Sequence, residues 1–256
     1  MLNTEKRNPK TIHIDTMNSY EMVKIIQEEN YNAVKAIDTE LESIADAIDK
    51  ISERMKKGGR LGILDAAECP PTYGVPYDLV IGIMAGGDGA IRKAVEGAED
   101  SFETGYEDIK KYNLTENDSV IGISVAGGAK YVLGAFECAK ENGALKISLT
   151  CNKDTKIEHE ADIIIHPDTG AEVVTGSTRM KAGSSHKMIL NMISTSVMIK
   201  LGHVYENLMI NLKPSNEKLY KRMITIVSDI TGKNYEESEK LLKENNFVIR
   251  DAVKNQ

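Results

Sequence analysis

The chain has too few cysteines to build with. Three in 256 residues (Cys69, Cys138 and Cys151) are too scattered for a disulfide framework or a zinc site. It has no apolar run of the ~18–20 residues that a membrane helix needs. Its first residues, MLNTEKRNPKTIHID, lack the apolar core of a secretory signal. Positive charge is also short: 32 Lys and Arg against 39 Asp and Glu leave a net charge of −7, which argues against nucleic acid or an anionic membrane as partner. There is no G-x-x-x-x-G-K-[ST] loop for a nucleotide, and Met84-Ala85-Gly86-Gly87-Asp88-Gly89 lacks G-x-G-x-x-G spacing. No repeats or low-complexity tracts interrupt the chain. A cytoplasmic protein is the simplest reading.

What is present reads as α/β. Asn18–Lys57 carries Val34, Ile37, Leu41, Ile44, Ile48, Ile51 and Met55 at alternating spacings of three and four. That pattern is one apolar stripe on a long helical region, buried on the core or on a partner subunit. Asn18 and Glu21 fit a capping-type start, and Gly58-Gly59 a stop. Four short apolar runs follow, Leu79–Ala85, Ser119–Val125, Leu145–Cys151 and Ala161–His166, each of buried-strand type. Helical stretches over Gly89–Lys111 and Lys130–Asn142 lie between them. This alternation predicts a parallel sheet flanked by helices, with ligands at the carboxyl ends of the strands. Both glycine turns, 85–89 and 126–129, occupy such ends. Ser184–Leu201 reads as another helix, and Asn216–Ser228, Tyr235–Glu244 and Asp251–Lys254 as a small helical appendage. The expected division is a helical region over 1–57, a sheet domain over 58–211 and the appendage over 212–256.

Three segments carry chemistry: LDAAECPPT at 64–72, VEGAED at 95–100 and VVTGSTRMKAG at 173–183. Pro70-Pro71 restrict the backbone after Glu68. Ser177, Thr178, Arg179 and Lys181 stand just before a helix, where hydroxyls and free amides suit an anion, or where a hydroxyl simply caps the helix. Together these segments resemble the N-acetylmuramic acid 6-phosphate etherases, a branch of the SIS (sugar isomerase) phosphosugar-binding fold. The resemblance spans nearly the whole chain, from Leu2-Asn3-Thr4-Glu5 onward.

The resemblance implies a SIS-type sheet and a cofactor-free lyase. Such an enzyme cleaves the D-lactyl ether of its substrate by elimination and then adds water, releasing N-acetylglucosamine 6-phosphate and D-lactate. One group takes the proton at C2 and another protonates the departing oxygen, work suited to two carboxylates in different environments. By resemblance Glu68 is the acid and Glu99 the base. Gly127, Gly128, Ser177, Thr178 and Lys181 meet the sugar phosphate, and the protein is a homodimer with its site near the subunit boundary.

Two loops depart from the family. Where the family runs from its GGRL through a strand and a Gly-Thr-Ser-Gly-Arg type loop, this chain passes from Leu61 almost directly into Leu64-Asp65. The short run Leu61–Leu64 is then all that can replace the strand. The second loop, of Ala-Ser-Gly-Arg-Thr type in the family, reads Val125-Ala126-Gly127-Gly128-Ala129 here. Each lost contact costs about 1–3 kcal/mol, so the expected affinity is roughly millimolar or weaker. An impaired etherase is therefore weighed against a non-catalytic sugar-phosphate-binding regulator, as in the glucokinase regulatory proteins, and against a poorly folded shortened product.

Overall fold

The computed structural model describes residues 1–62, 69–214 and 216–254. Its centre is a five-stranded, wholly parallel sheet in the order β2-β1-β3-β4-β5. The strands are β1 Leu61–Gly62, β2 Val80–Ile81, β3 Ser119–Ile123, β4 Leu145–Leu149 and β5 Ile163–Ile165. The middle pair, β3 and β4, align from Ser119 with Leu145 to Ile123 with Leu149. Burial on both faces explains why these runs are apolar without alternation.

Strand β1 is the unusual element. Two residues long, it still bridges the sheet, pairing Leu61 with Val80 on one side and with Ser119 on the other. The described part of the run expected at Leu61–Leu64 thus takes a strand position between β2 and β3; Ile63 and Leu64 lie outside the described residues. An ion pair anchors its entry: Arg60 Nε lies 3.0 Å from Oδ1 of the buried Asp118, whose carboxylate also accepts from the Arg60 and Thr115 amides. Burial alone would raise the Asp118 pKa, but the guanidinium and these amides hold it below the ordinary carboxylate value.

Helices cover both faces of the sheet. On one face α2 (Leu41–Lys56) and α7 (Lys181–Lys200) join Leu61, Ile121, Ile147, Leu149 and Ile165 in one apolar cluster. On the other, α4 (Phe102–Lys110) and α5 (Lys130–Glu141) cover Val120, with Ile157 from the short α6 (Lys156–His159). Helix α1 (Ser19–Lys35) packs on α7, and the one-turn α3 spans Cys69–Tyr73. After a small hairpin, β6 Val204–Tyr205 with β7 Leu208–Met209, helices α8 (Glu217–Thr231), α9 (Tyr235–Glu244) and α10 (Ile249–Lys254) share a third cluster around Met223, Ile224 and Leu242. Among the described residues no helix is long and apolar enough to cross a membrane.

Two helical expectations need correction. The stripe over Asn18–Lys57 belongs to two helices, broken by a 3₁₀ turn at Asp38–Glu40. The break turns Val34 and Leu41 outward, 48% exposed each, while Ile37, Ile44, Ile51 and Met55 stay buried. A long-range contact holds it: Oε2 of the buried Glu40 accepts from the His166 amide beyond β5, at 3.0 Å. The capping box at Asn18 and Glu21 forms as expected. The expected helix over Gly89–Lys111 is instead two 3₁₀ turns, Asp88–Ile91 and Ala98–Asp100, before α4 begins at Phe102. Gly97 between them has φ +74°, a left-handed conformation that ends any right-handed helix there.

Candidate functional site

Glu99 is exposed on the second of those turns, which packs against α5 on the carboxyl-end side of the sheet. It lines a cavity of about 240 Å³ together with Met84 and Ala85 beyond β2, Ile123 at the end of β3, and Tyr131 in the first turn of α5. Glu99 is the only charged group among the described lining residues. The Tyr131 hydroxyl does not face a ligand; it donates to Oδ2 of Asp108 at 2.7 Å. Glu68, the expected partner acid, lies outside the described residues, as does most of its motif up to Cys69.

The loop after β3 makes the turn expected of it. Gly127 has φ +69° and is buried so tightly that a Cβ there would collide with Thr155. Its amide is already used within the turn, donating to Ser124 O at 3.0 Å and Ser124 Oγ at 3.1 Å. Gly128 differs: it is exposed, and its amide donates to no group among the described residues. Helix α5 begins immediately after it with no side-chain cap at Ala129. Of the two glycines singled out from the sequence, only Gly128 offers an amide to solvent at that positive helix end.

The third motif is arranged differently. Ser177 and Thr178 sit half-buried in the turn before α7 and do not cap it. Glu172 does, with both carboxylate oxygens: Oε2 accepts from the Lys181 amide and Oε1 from the Ala182 amide, each at 3.0 Å. This carboxylate is fully buried. The Ser177 and Thr178 hydroxyls hold no partner among the described residues, so they stay available to a ligand. Lys181 does not: its Nζ lies 2.6 Å from Oε2 of Glu29, and both side chains are almost completely buried.

Glu29 is in turn held by Lys10 at 3.2 Å and by the amide group of Asn8 at 2.9 Å. Burial pushes its pKa up, and the two ammonium groups outweigh that, leaving it below the ordinary value. This network ties the N-terminal segment to the root of α7. The Thr11 hydroxyl adds a bond to Val173 O at 2.8 Å. The structure thus packs the turn of Glu99 against α5, places Gly128 just before that helix, and sets Lys181 inside a separate ion-pair network. Among the described residues no group of three or more His, Cys, Asp or Glu could hold a metal ion. Glu172 and Glu29 escaped sequence reasoning because each works through a partner distant in sequence or on another element.

Residues 34–140 match the glucokinase regulatory protein N-terminal SIS domain, and residues 101–198 match the SIS domain. The chain is 51% identical over 261 residues to an N-acetylmuramic acid 6-phosphate etherase of Caldanaerobacter subterraneus subsp. tengcongensis, covering 98% of this chain and 85% of the relative. It is 49% identical over 263 residues to the protein of the same name in Clostridium beijerinckii, with 98% and 86% covered. Among solved structures, a phosphoheptose isomerase from Francisella tularensis superposes with a TM-score of 0.53 at 16% identity, over 72% of this chain and 100% of the other. That last likeness is one of fold.

Proposed function

We infer the activity of this chain from one premise: it belongs to the N-acetylmuramic acid 6-phosphate etherase family. The inferred reaction is cleavage of the D-lactyl ether of N-acetylmuramic acid 6-phosphate, with water, to N-acetylglucosamine 6-phosphate and D-lactate. In the open-chain sugar the C2 proton lies beside the aldehyde. Glu99 takes that proton, while Glu68 protonates the ether oxygen at C3 as the C–O bond breaks and lactate leaves. Water then adds to the resulting double bond at C3, and the proton returns to C2.

The observation that carries this reading is the exposed Glu99, held on a short turn at the rim of a cavity beside the root of α5. A base must reach its proton, and this carboxylate is exposed, with no ion pair among the described residues. The Gly128 amide and the start of α5 are suited to phosphate, with the Ser177 and Thr178 hydroxyls as further polar contacts. We assign no ligand contact to the Lys181 ammonium, which is bound to Glu29. The same reading makes the protein a cofactor-free cytoplasmic homodimer acting on a small sugar phosphate, with neither nucleic acid nor membrane as partner. Its phosphosugar unit is 58–211, between helical regions 1–57 and 212–256.

The test is incubation with N-acetylmuramic acid 6-phosphate while D-lactate is followed, beside a Glu99→Gln control. Release by the parent chain and its loss in the variant support the assignment. No release from a folded chain at high substrate removes it.

A further inference from the structure

The chain ahead of α1 buries no aliphatic side chain. Leu2 and Ile12 are exposed, and the residues it does bury are polar: Thr4, Asn8 and Thr11. Apolar burial therefore does not hold this segment down, and hydrogen bonds offset the entropy of ordering it. Their partners are specific.

Thr4 is fully buried, and its Oγ1 accepts from Asn152 Nδ2 at 3.1 Å. The same nitrogen donates to Val125 O at 3.0 Å, so one buried side chain joins the N-terminal segment to the loop after β3. The Cys151 amide reinforces that join by donating to Val125 O, also at 3.0 Å. The other bonds run to the stretch ahead of α7. Asn3 Nδ2 donates to Asp168 Oδ2 at 2.9 Å, Asn8 Nδ2 to Ala171 O at 3.4 Å, and the Thr11 hydroxyl to Val173 O at 2.8 Å. Glu5 lies beside the turn that follows: its Oε2 is 3.5 Å from where a Cβ on Gly176 would stand. One short segment thus touches both the loop that ends at Gly128 and the approach to Ser177 and Thr178.

We propose that residues 3–11 are a polar clasp that fixes the loop after β3 relative to the turn before α7, with Thr4 as its positioning residue. Thr4 meets no ligand and acts through Asn152. That the two loops seat a sugar phosphate rests on the etherase reading; the clasp adds what keeps them in place for it.

Thr4→Val removes the hydroxyl and keeps the side chain's shape. In the full chain without ligand, the Gly127 and Cys151 amides are expected to exchange hydrogen about 3–10-fold faster in the variant, while those inside β3 and β4 keep their rates. Thr4→Ser retains the oxygen and is expected to restore the parent rates. With N-acetylmuramic acid 6-phosphate, Thr4→Val should raise KM by about 3–10-fold and leave kcat within about twofold. Unchanged exchange at Gly127 and Cys151, equal acceleration throughout β3 and β4, or an unchanged KM overturns the clasp. Should Thr4→Val fail to fold, Thr11→Val takes its place, read at the Ser177 amide. A parent chain that releases no lactate removes the etherase reading alone, because the exchange measurement needs no ligand and still decides the clasp.

Discussion

The Lys181 ammonium sits 2.6 Å from the Glu29 carboxylate, with each side chain less than 5% exposed. Cutting Lys181 out leaves the buried Glu29 with the exposed Lys10 and the Asn8 amide, a loss toward the low end of the about 3–5 kcal/mol typical of breaking a buried pair. Lys181→Met is therefore expected to lower the unfolding free energy by about that amount in urea titration. If Lys181 instead served only a ligand, the variant would keep its stability and lose sugar-phosphate affinity alone.

Glu99→Gln behaves in the opposite way. An exposed side chain with no ion pair among the described residues contributes little to folding, so stability should stay within about 0.5 kcal/mol of the parent. Loss of a positioned base should slow lactate release by about 10²–10⁴-fold. Circular dichroism and a lactate assay on one preparation separate the two effects.

His186 supplies a pH test. Its Nε2 lies 3.2 Å from Thr150 O and from Cys151 Sγ, and burial depresses its pKa to about 4. In the unfolded chain the imidazole returns to about 6.5. Its stabilisation is thus complete above about pH 6.5 and is lost as pH falls toward 4, while only the unfolded form takes the proton. The loss is on the order of 3 kcal/mol. Asp118 and Glu29, held below their ordinary values, lose theirs only at lower pH. Replacing His186 by Gln should flatten the curve between pH 6.5 and 4 and leave the more acidic limb in place.

Helices α4 and α5 cross where Gly105 faces the Tyr131 carbonyl and Gly134 the Phe102 carbonyl, with no room for a Cβ at either position. Gly105→Ala must push the helices apart, at a cost of about 1–3 kcal/mol. Chemical denaturation checks it. A neutral or stabilising result would mean that the crossing is looser than described.

Much of this architecture was legible where a local rule decides it. Tyr235–Glu244 forms a helix with those bounds, behind a capping box at Asn234 and Glu237. The apolar cores of β3 and β4 fall inside the runs that marked them. Periodicity misled where one stripe crossed two helices, because spacing along a chain does not register a 3₁₀ turn held by Glu40 from another layer. It misled again at 89–101, where Gly97 adopts a backbone conformation that composition alone does not specify. For the candidate site, motif alone singled out Glu99 and Gly128, while the pairing of Lys181 needed Glu29, 152 residues away in sequence. No pattern within VVTGSTRMKAG announces that distant acid, and Lys181 looked available for phosphate.

The Glu172 carboxylate at the root of α7 bears on how a phosphosugar could be seated. A helix whose positive end is already neutralised from within repels a second anion as readily as it attracts one. The root of α5 carries no such internal counter-charge among the described residues. Among the described residues, the start of α5 is therefore the one of these two that leaves its positive end uncompensated. The choice an anion makes between the two helix starts would then be set by an acid that is itself fully buried.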